Sequence, residues 1–90
     1  MQYIMKTYVT FGSDHVHVIA NSETSERILF DKDCVAAIEA ENRNEGRNKT
    51  FDIFGPEFCM EYFDQEFKKD SLRHFSRGII EVPSRFNILT

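Results

Sequence analysis

Ninety residues, 41% hydrophobic and 29% charged, are too few for two independent cores and too apolar for an intrinsically disordered chain, so one folded domain over 1–90 is expected. No run approaches the roughly 18 consecutive apolar residues of a membrane helix, and the first residues lack the charged, apolar and small-residue pattern of a secretory leader, so a cytosolic chain that neither binds nor crosses a membrane is expected. The net charge of −4 lies wholly within residues 21–41, where six acids (Glu23, Glu26, Asp31, Asp33, Glu39, Glu41) face Arg27 and Lys32; acidity this local excludes a duplex-DNA mimic, and direct nucleic-acid binding is not expected.

In chain order, Thr7, Val9 and Phe11 alternate with Lys6, Tyr8 and Thr10, predicting a strand over 3–11 with one drier face. Gly12-Ser13-Asp14 supplies turn chemistry, and His15 to Ala20 resumes the alternation, so a β-hairpin is predicted across 3–20. In that hairpin Val16 and Val18 share one face and His15 and His17 the other. Asn21 to Arg27 is a polar connection, and Ile28-Leu29-Phe30 is a brief strand or a hydrophobic anchor before the Asp31-Lys32-Asp33 turn.

Cys34 to Ala40 is a third strand. Phe51 and Phe54 at helical spacing predict a helix over 45–54, stopped by Gly55-Pro56. Phe58 to Phe63 alternates as a strand, although a run this short also fits a helix start. Residues 64–75 read as a short helix or a structured loop, and Gly78 to Val82 as a last strand ended by Pro83. The expected class is α+β: a small antiparallel-rich β-sheet with one or two helices packed on one face, in the order β-β-β-α-β-α-β, with 1–4 and 84–90 peripheral.

Nine Phe and three Tyr with no Trp give a core that needs neither disulfide nor metal. Cys34 and Cys59 each sit in an apolar run, where free, buried thiols are expected.

His15-x-His17 is the most specific chemical feature, because residues two apart on a strand can offer two imidazoles to one ion. A zinc centre needs three or four ligands, and Asp14, Cys34 and His74 have no recognised spacing to that pair, so no metal or other cofactor is expected and a metal-dependent hydrolase ranks last. The same face, with Tyr8, His15, His17 and Arg77, suits a stacked nucleotide ligand, the alternative being that these rings belong to the core. Lys68, Lys69, Arg73, His74 and Arg77 could receive a phosphate or an acidic surface, against the plainer reading of a solvated face. No phosphate-binding loop, dinucleotide fingerprint, zinc-protease helix or nucleophile elbow is present, so no catalytic residue is assigned and the chain is expected not to be an enzyme.

Thr10-Phe11-Gly12-Ser13-Asp14-His15-Val16-His17, Phe30-Asp31-Lys32-Asp33-Cys34-Val35, Phe54-Gly55-Pro56-Glu57-Phe58 and Arg77-Gly78-Ile79-Ile80-Glu81-Val82 together resemble a group of small proteins encoded by phages and prophages. The resemblance spans about residues 5–82 and transfers no activity or site residue. It implies a role: a non-enzymatic accessory protein in the host bacterial cytosol that inhibits a defence system, anti-CRISPR-like, by binding a protein component. On this reading Glu23, Glu26, Asp31 and Asp33 meet a basic, nucleic-acid-binding partner. The alternative is a nucleotide binder or sponge using Tyr8, His15, His17 and Arg77, with a homodimer as one way to build its site.

Overall fold

The computed structural model describes residues 4–89. In chain order they form β1 (Met5–Thr10), β2 (His17–Asn21), β3 (Arg27–Phe30), β4 (Cys34–Ala40), α1 (Arg43–Phe54), β5 (Met60–Phe63), two 3-10 turns (Asp64–Glu66 and Lys69–His74), β6 (Gly78–Glu81) and β7 (Phe86–Ile88). The strands make two sheets, a larger one in the order β5-β1-β4-β6 and a smaller one in the order β3-β2-β7. All pairs are antiparallel except β4 with β6. The α+β class and the antiparallel-rich character stand as expected.

The hairpin expected across 3–20 does not form. β1 pairs with β4 on one side and β5 on the other, so no edge remains for β2, which pairs instead with β3 and β7. Gly12-Ser13-Asp14 does turn the chain, with Gly12 at a φ of +64°. The connection carries the wholly buried Phe11 from one sheet to the other. The true hairpin is β2–β3, and residues 22–26 are its tip. Tyr3, where the first strand was expected to begin, lies outside the described residues, as do Met1 and Gln2.

Helix α1 starts where Asn42, in extended backbone, accepts the Glu45 N–H at 2.9 Å. It ends at Gly55, whose φ of +62° is costly for a side-chain-bearing residue and whose N–H bonds the Phe51 carbonyl at 2.8 Å. The buried side is narrow: Gly46, Thr50, Ile53 and Phe54. Gly46 lies against β1, where an added Cβ would stand 2.0 Å from Thr7 Oγ1. Phe54 reaches both sheets, meeting Phe11 edge-on at 4.9 Å and Phe30 at 5.5 Å.

The second expected helix is two 3-10 turns that cross the larger sheet from β5 to β6 on the face opposite α1. Phe67 of this crossover stacks on Tyr8 at 4.9 Å and tilts against Tyr62 at 5.8 Å. β4 is therefore covered on both faces, and Val35, Ala36 and Ala37 are wholly buried. Residues 84–89, taken from sequence as peripheral, contribute β7, which pairs with β2 with Asn87 opposite Ala20.

Only one cysteine is in the core. Cys34 is buried in β4, and Cys59 is exposed just before β5. Phe58, its neighbour, packs against the core, and the alternation of an extended segment turns the Cys59 side chain the other way. Burial also pushes the Cys34 thiol above its ordinary pKa. A thiol reagent at neutral pH is therefore expected to label one site per chain quickly, at Cys59, and Cys34 only after denaturant is added. Fast labelling of both sites in the native protein would contradict this packing.

Candidate functional site

The smaller sheet is built inside out. Alternation along β2 suggests that valines face the core and histidines face water, but directly opposed residues of an antiparallel pair share a face. His17 stands opposite Phe30, and Ile19 opposite Ile28. Phe30 is wholly buried, so its partner follows it inside, and His17 is 4% exposed while Val16 is 57% exposed.

The buried imidazole lies 5.6 Å from the Phe11 ring and 4.9 Å from that of Phe54. Its Nε2 is 2.6 Å from the Glu57 carbonyl oxygen, which can only accept, so Nε2 carries the proton. The expectation that His15 and His17 share a polar sheet face is corrected: His17 is a satisfied core residue, and His15 lies in the connection before β2, half-buried.

The outward face of β3-β2-β7 carries Val18 opposite Leu29, with Leu89 donating its N–H to the Val18 carbonyl at 2.9 Å from the far side. Val16 precedes this row, and Ala20, Arg27 and Asn87 continue it. Seven large hydrophobic residues are exposed among the described residues, and three of them, Val16, Leu29 and Leu89, lie on or beside this outward face, while Ile88, opposite the buried Ile19, belongs to the other one. Apolar surface concentrated on three short strands in this way marks a contact surface. Sequence reasoning put Val16 and Val18 on one face and the histidines on the other without deciding which face is covered, so it did not find this surface. The only signal that could have found it is the pairing of Phe30 with His17, a register that alternation within one strand does not contain.

The acidic stretch divides. Glu23 and Glu26 lie at the β2–β3 tip, where Asn21 Oδ1 accepts the Glu23 N–H at 2.9 Å and Thr24 Oγ1 accepts the Glu26 N–H at 3.2 Å. Asp31 and Asp33 sit at the opposite end of β3, roughly 13 Å away for a strand of this length. Both are occupied. Asp31 accepts from Arg77 at 2.8 Å, and that hydrogen bond holds its carboxyl below the ordinary range, while Lys32 lies 3.4 Å from Asp33. No ion pair among the described residues reaches Glu23 or Glu26. The single negative edge expected from sequence is therefore one unpaired acidic tip and one neutralised turn.

The residues expected to hold a nucleotide are not brought together. Tyr8 is on the larger sheet beneath Phe67, His17 is in the core, and Arg77 braces the edge of β3 by donating to the Leu29 carbonyl at 2.9 Å and to Asp31. No group of three or more His, Cys, Asp or Glu side chains able to hold a metal ion occurs among the described residues. Lys68, Lys69, Arg73 and His74 are exposed on the crossover.

A cleft of about 660 Å³ lies between α1, β4 and residues 82–86, and of the six acids in 21–41 only Glu39 lines it. Its lysines are engaged internally: Lys6 with both Glu81 oxygens at 2.8 Å, Lys49 with the Glu39 carbonyl at 2.9 Å. Among the described residues no helix is long and apolar enough to cross a membrane. No protein-family model matches this sequence, and comparison with curated proteins and with solved structures found no match.

Proposed function

We propose that this chain is a non-enzymatic binding protein that seats the outer face of its smaller sheet on an apolar, basic-rimmed surface of a protein partner. The observation behind this reading is the inversion of β2, which turns Val16, Val18 and, across the pair, Leu29 outward while a histidine occupies the core. A few well-packed residues near the centre of an interface supply most of its binding energy. Glu23 and Glu26, unpaired beside this face, supply charge complementarity and speed the encounter. The resemblance to phage-encoded proteins supports a partner from a bacterial defence system, inhibited because its working surface is covered.

The test is a pair of exposed substitutions, Val18→Lys and Leu29→Lys, in a chain used to capture partners from a bacterial host and then titrated against the purified partner. The double variant is expected to keep the wild-type melting temperature within a few degrees and to lose about 100-fold or more in affinity, the scale of a removed interface centre. Neutralising Glu23 and Glu26 to Gln is expected to slow association and flatten its salt dependence, with dissociation little changed. Affinity unaltered by the two lysines would rule this reading out.

A further inference from the structure

Exposed strand edges invite pairing with other chains, and proteins usually block them. Three edge positions here are blocked by side chains. Arg77 donates to the Leu29 carbonyl on the open side of β3. Lys49 donates to the Glu39 carbonyl where β4 extends past the end of β6. Glu66, clamped by Arg43 at 2.6 and 3.0 Å, accepts the Phe63 N–H on the open side of β5 at 2.8 Å.

β7 has no such cap. The bonds from Leu89 N–H to the Val18 carbonyl and from Ser22 N–H to the Arg85 carbonyl set the phase of its ladder with β2. Residues 85, 87 and 89 face β2, and the N–H and C=O groups of Phe86 and Ile88 point away from it. No hydrogen bond to those groups occurs among the described residues. The Ile88 side chain beside them is 51% exposed.

We infer that β7 is a self-association edge, at which a second copy of this chain adds antiparallel about a two-fold axis at Asn87. An edge presenting outward groups at two positions separated by one residue is its own complement under that symmetry. Phe86 of one copy stands opposite Ile88 of the other, each such pair exchanging two backbone hydrogen bonds, four in all. The pairing shields Ile88 against the opposing Phe86. It also joins the two small sheets into one of six strands, β3-β2-β7-β7-β2-β3, and brings the two outward apolar faces onto one continuous surface. Arg85 then faces Leu89, so the register sets no like charges against each other. This goes beyond the partner-binding reading, because the face that carries Val18 and Leu29 is not used in the contact between copies.

A contact this short falls below the roughly 1,200 Å² of a stable interface, so a monomer–dimer equilibrium is expected in sedimentation velocity between about 10 μM and 1 mM. Ile88→Pro removes an N–H that β2 does not use, which an edge strand tolerates. It is expected to give a monomer throughout that range, and Ile88→Lys to do the same without altering the backbone. Asn87→Cys, in a Cys59→Ser chain, places the two new thiols at a non-hydrogen-bonded pair about 4.5 Å apart between Cα atoms, within disulfide reach, and is expected to oxidise to a covalent dimer. Arg85→Cys in the same background, displaced from the axis, is expected to do so at least ten times more slowly. A wild-type chain that stays monomeric across the range, a dimer that survives both Ile88 substitutions, or equal oxidation at positions 85 and 87 would each overturn the inference.

Discussion

Replacing Phe54 with Ala is expected to cost about 3–5 kcal/mol, the range for deleting a buried aromatic side chain, and so to remove much of the stability of a domain this small. Phe54 is 3% exposed and is where helix, larger sheet and smaller sheet meet, within 4.9 to 5.5 Å of the Phe11, His17 and Phe30 rings. Its removal leaves those three rings facing a cavity between two sheets that share no backbone ladder, so the site cannot close by a small shift of one element. Phe51, three residues earlier, is the matched control. It is 44% exposed and, among the rings of the described residues, meets only Phe58, at 5.4 Å, so Phe51→Ala is expected to cost about 1 kcal/mol. Chemical denaturation of the two variants beside the wild type checks this, and equal losses would contradict the assignment of Phe54 as the junction.

Gly46→Ala is the second large effect, and its sign runs against helix propensity. In an exposed helix the change would stabilise by about 1 kcal/mol. Here the new methyl would lie 2.0 Å from Thr7 Oγ1, 3.2 Å from Thr7 Cβ and 3.4 Å from Ala40 Cβ, so either α1 must lift off β1 or Thr7 must turn. Thr7 is wholly buried, with no room to turn freely. A net loss of about 1–3 kcal/mol is expected, as for other overpacked cores.

The Thr7 hydroxyl is itself buried without a hydrogen-bond partner, which costs about 1–3 kcal/mol of desolvation. Thr7→Val, of the same shape, is therefore expected to raise the denaturation midpoint. Thr7→Ala combined with Gly46→Ala is expected to recover part of the loss, because the closest contact is gone and the one at Cβ remains. A stabilised Gly46→Ala single variant would show that the helix does not sit this close.

Within single segments, the elements were legible where local chemistry alone decides them. Gly55 ends α1 as expected because a residue at positive φ is needed there, whereas the start was placed at residue 45, two residues late, because the capping role of Asn42 was not read. Cys34 to Ala40 reads as a strand, and the structure gives it those bounds. Pro83 ends β6 because it has no N–H to continue the ladder. The 3-10 crossover was ambiguous because Phe63, Phe67 and Leu72 satisfy a helical spacing that the segment does not realise as an α-helix.

The candidate site was not legible, and the reason is pairing. Alternation within β2 shows that Val16 and Val18 share a face, but not which face meets the core. That was decided by Phe30, thirteen residues from His17, whose place opposite the histidine carries it inward. The same limit hid the fate of the acids. Their concentration in residues 21–41 is plain in the sequence, yet Asp31 loses its availability to Arg77, which is 46 positions away.

The α+β class, the position of the helix and most strands, and the surplus of acid in one segment all follow from composition, period and turn chemistry. The tertiary structure alone decided that β1 and β2 part into different sheets, that a histidine is buried and valines exposed, and that β7 exists with one open side. Each of these follows from which strands exchange hydrogen bonds, and those contacts are long-range: they depend on where a second segment arrives, not on the residues beside the first.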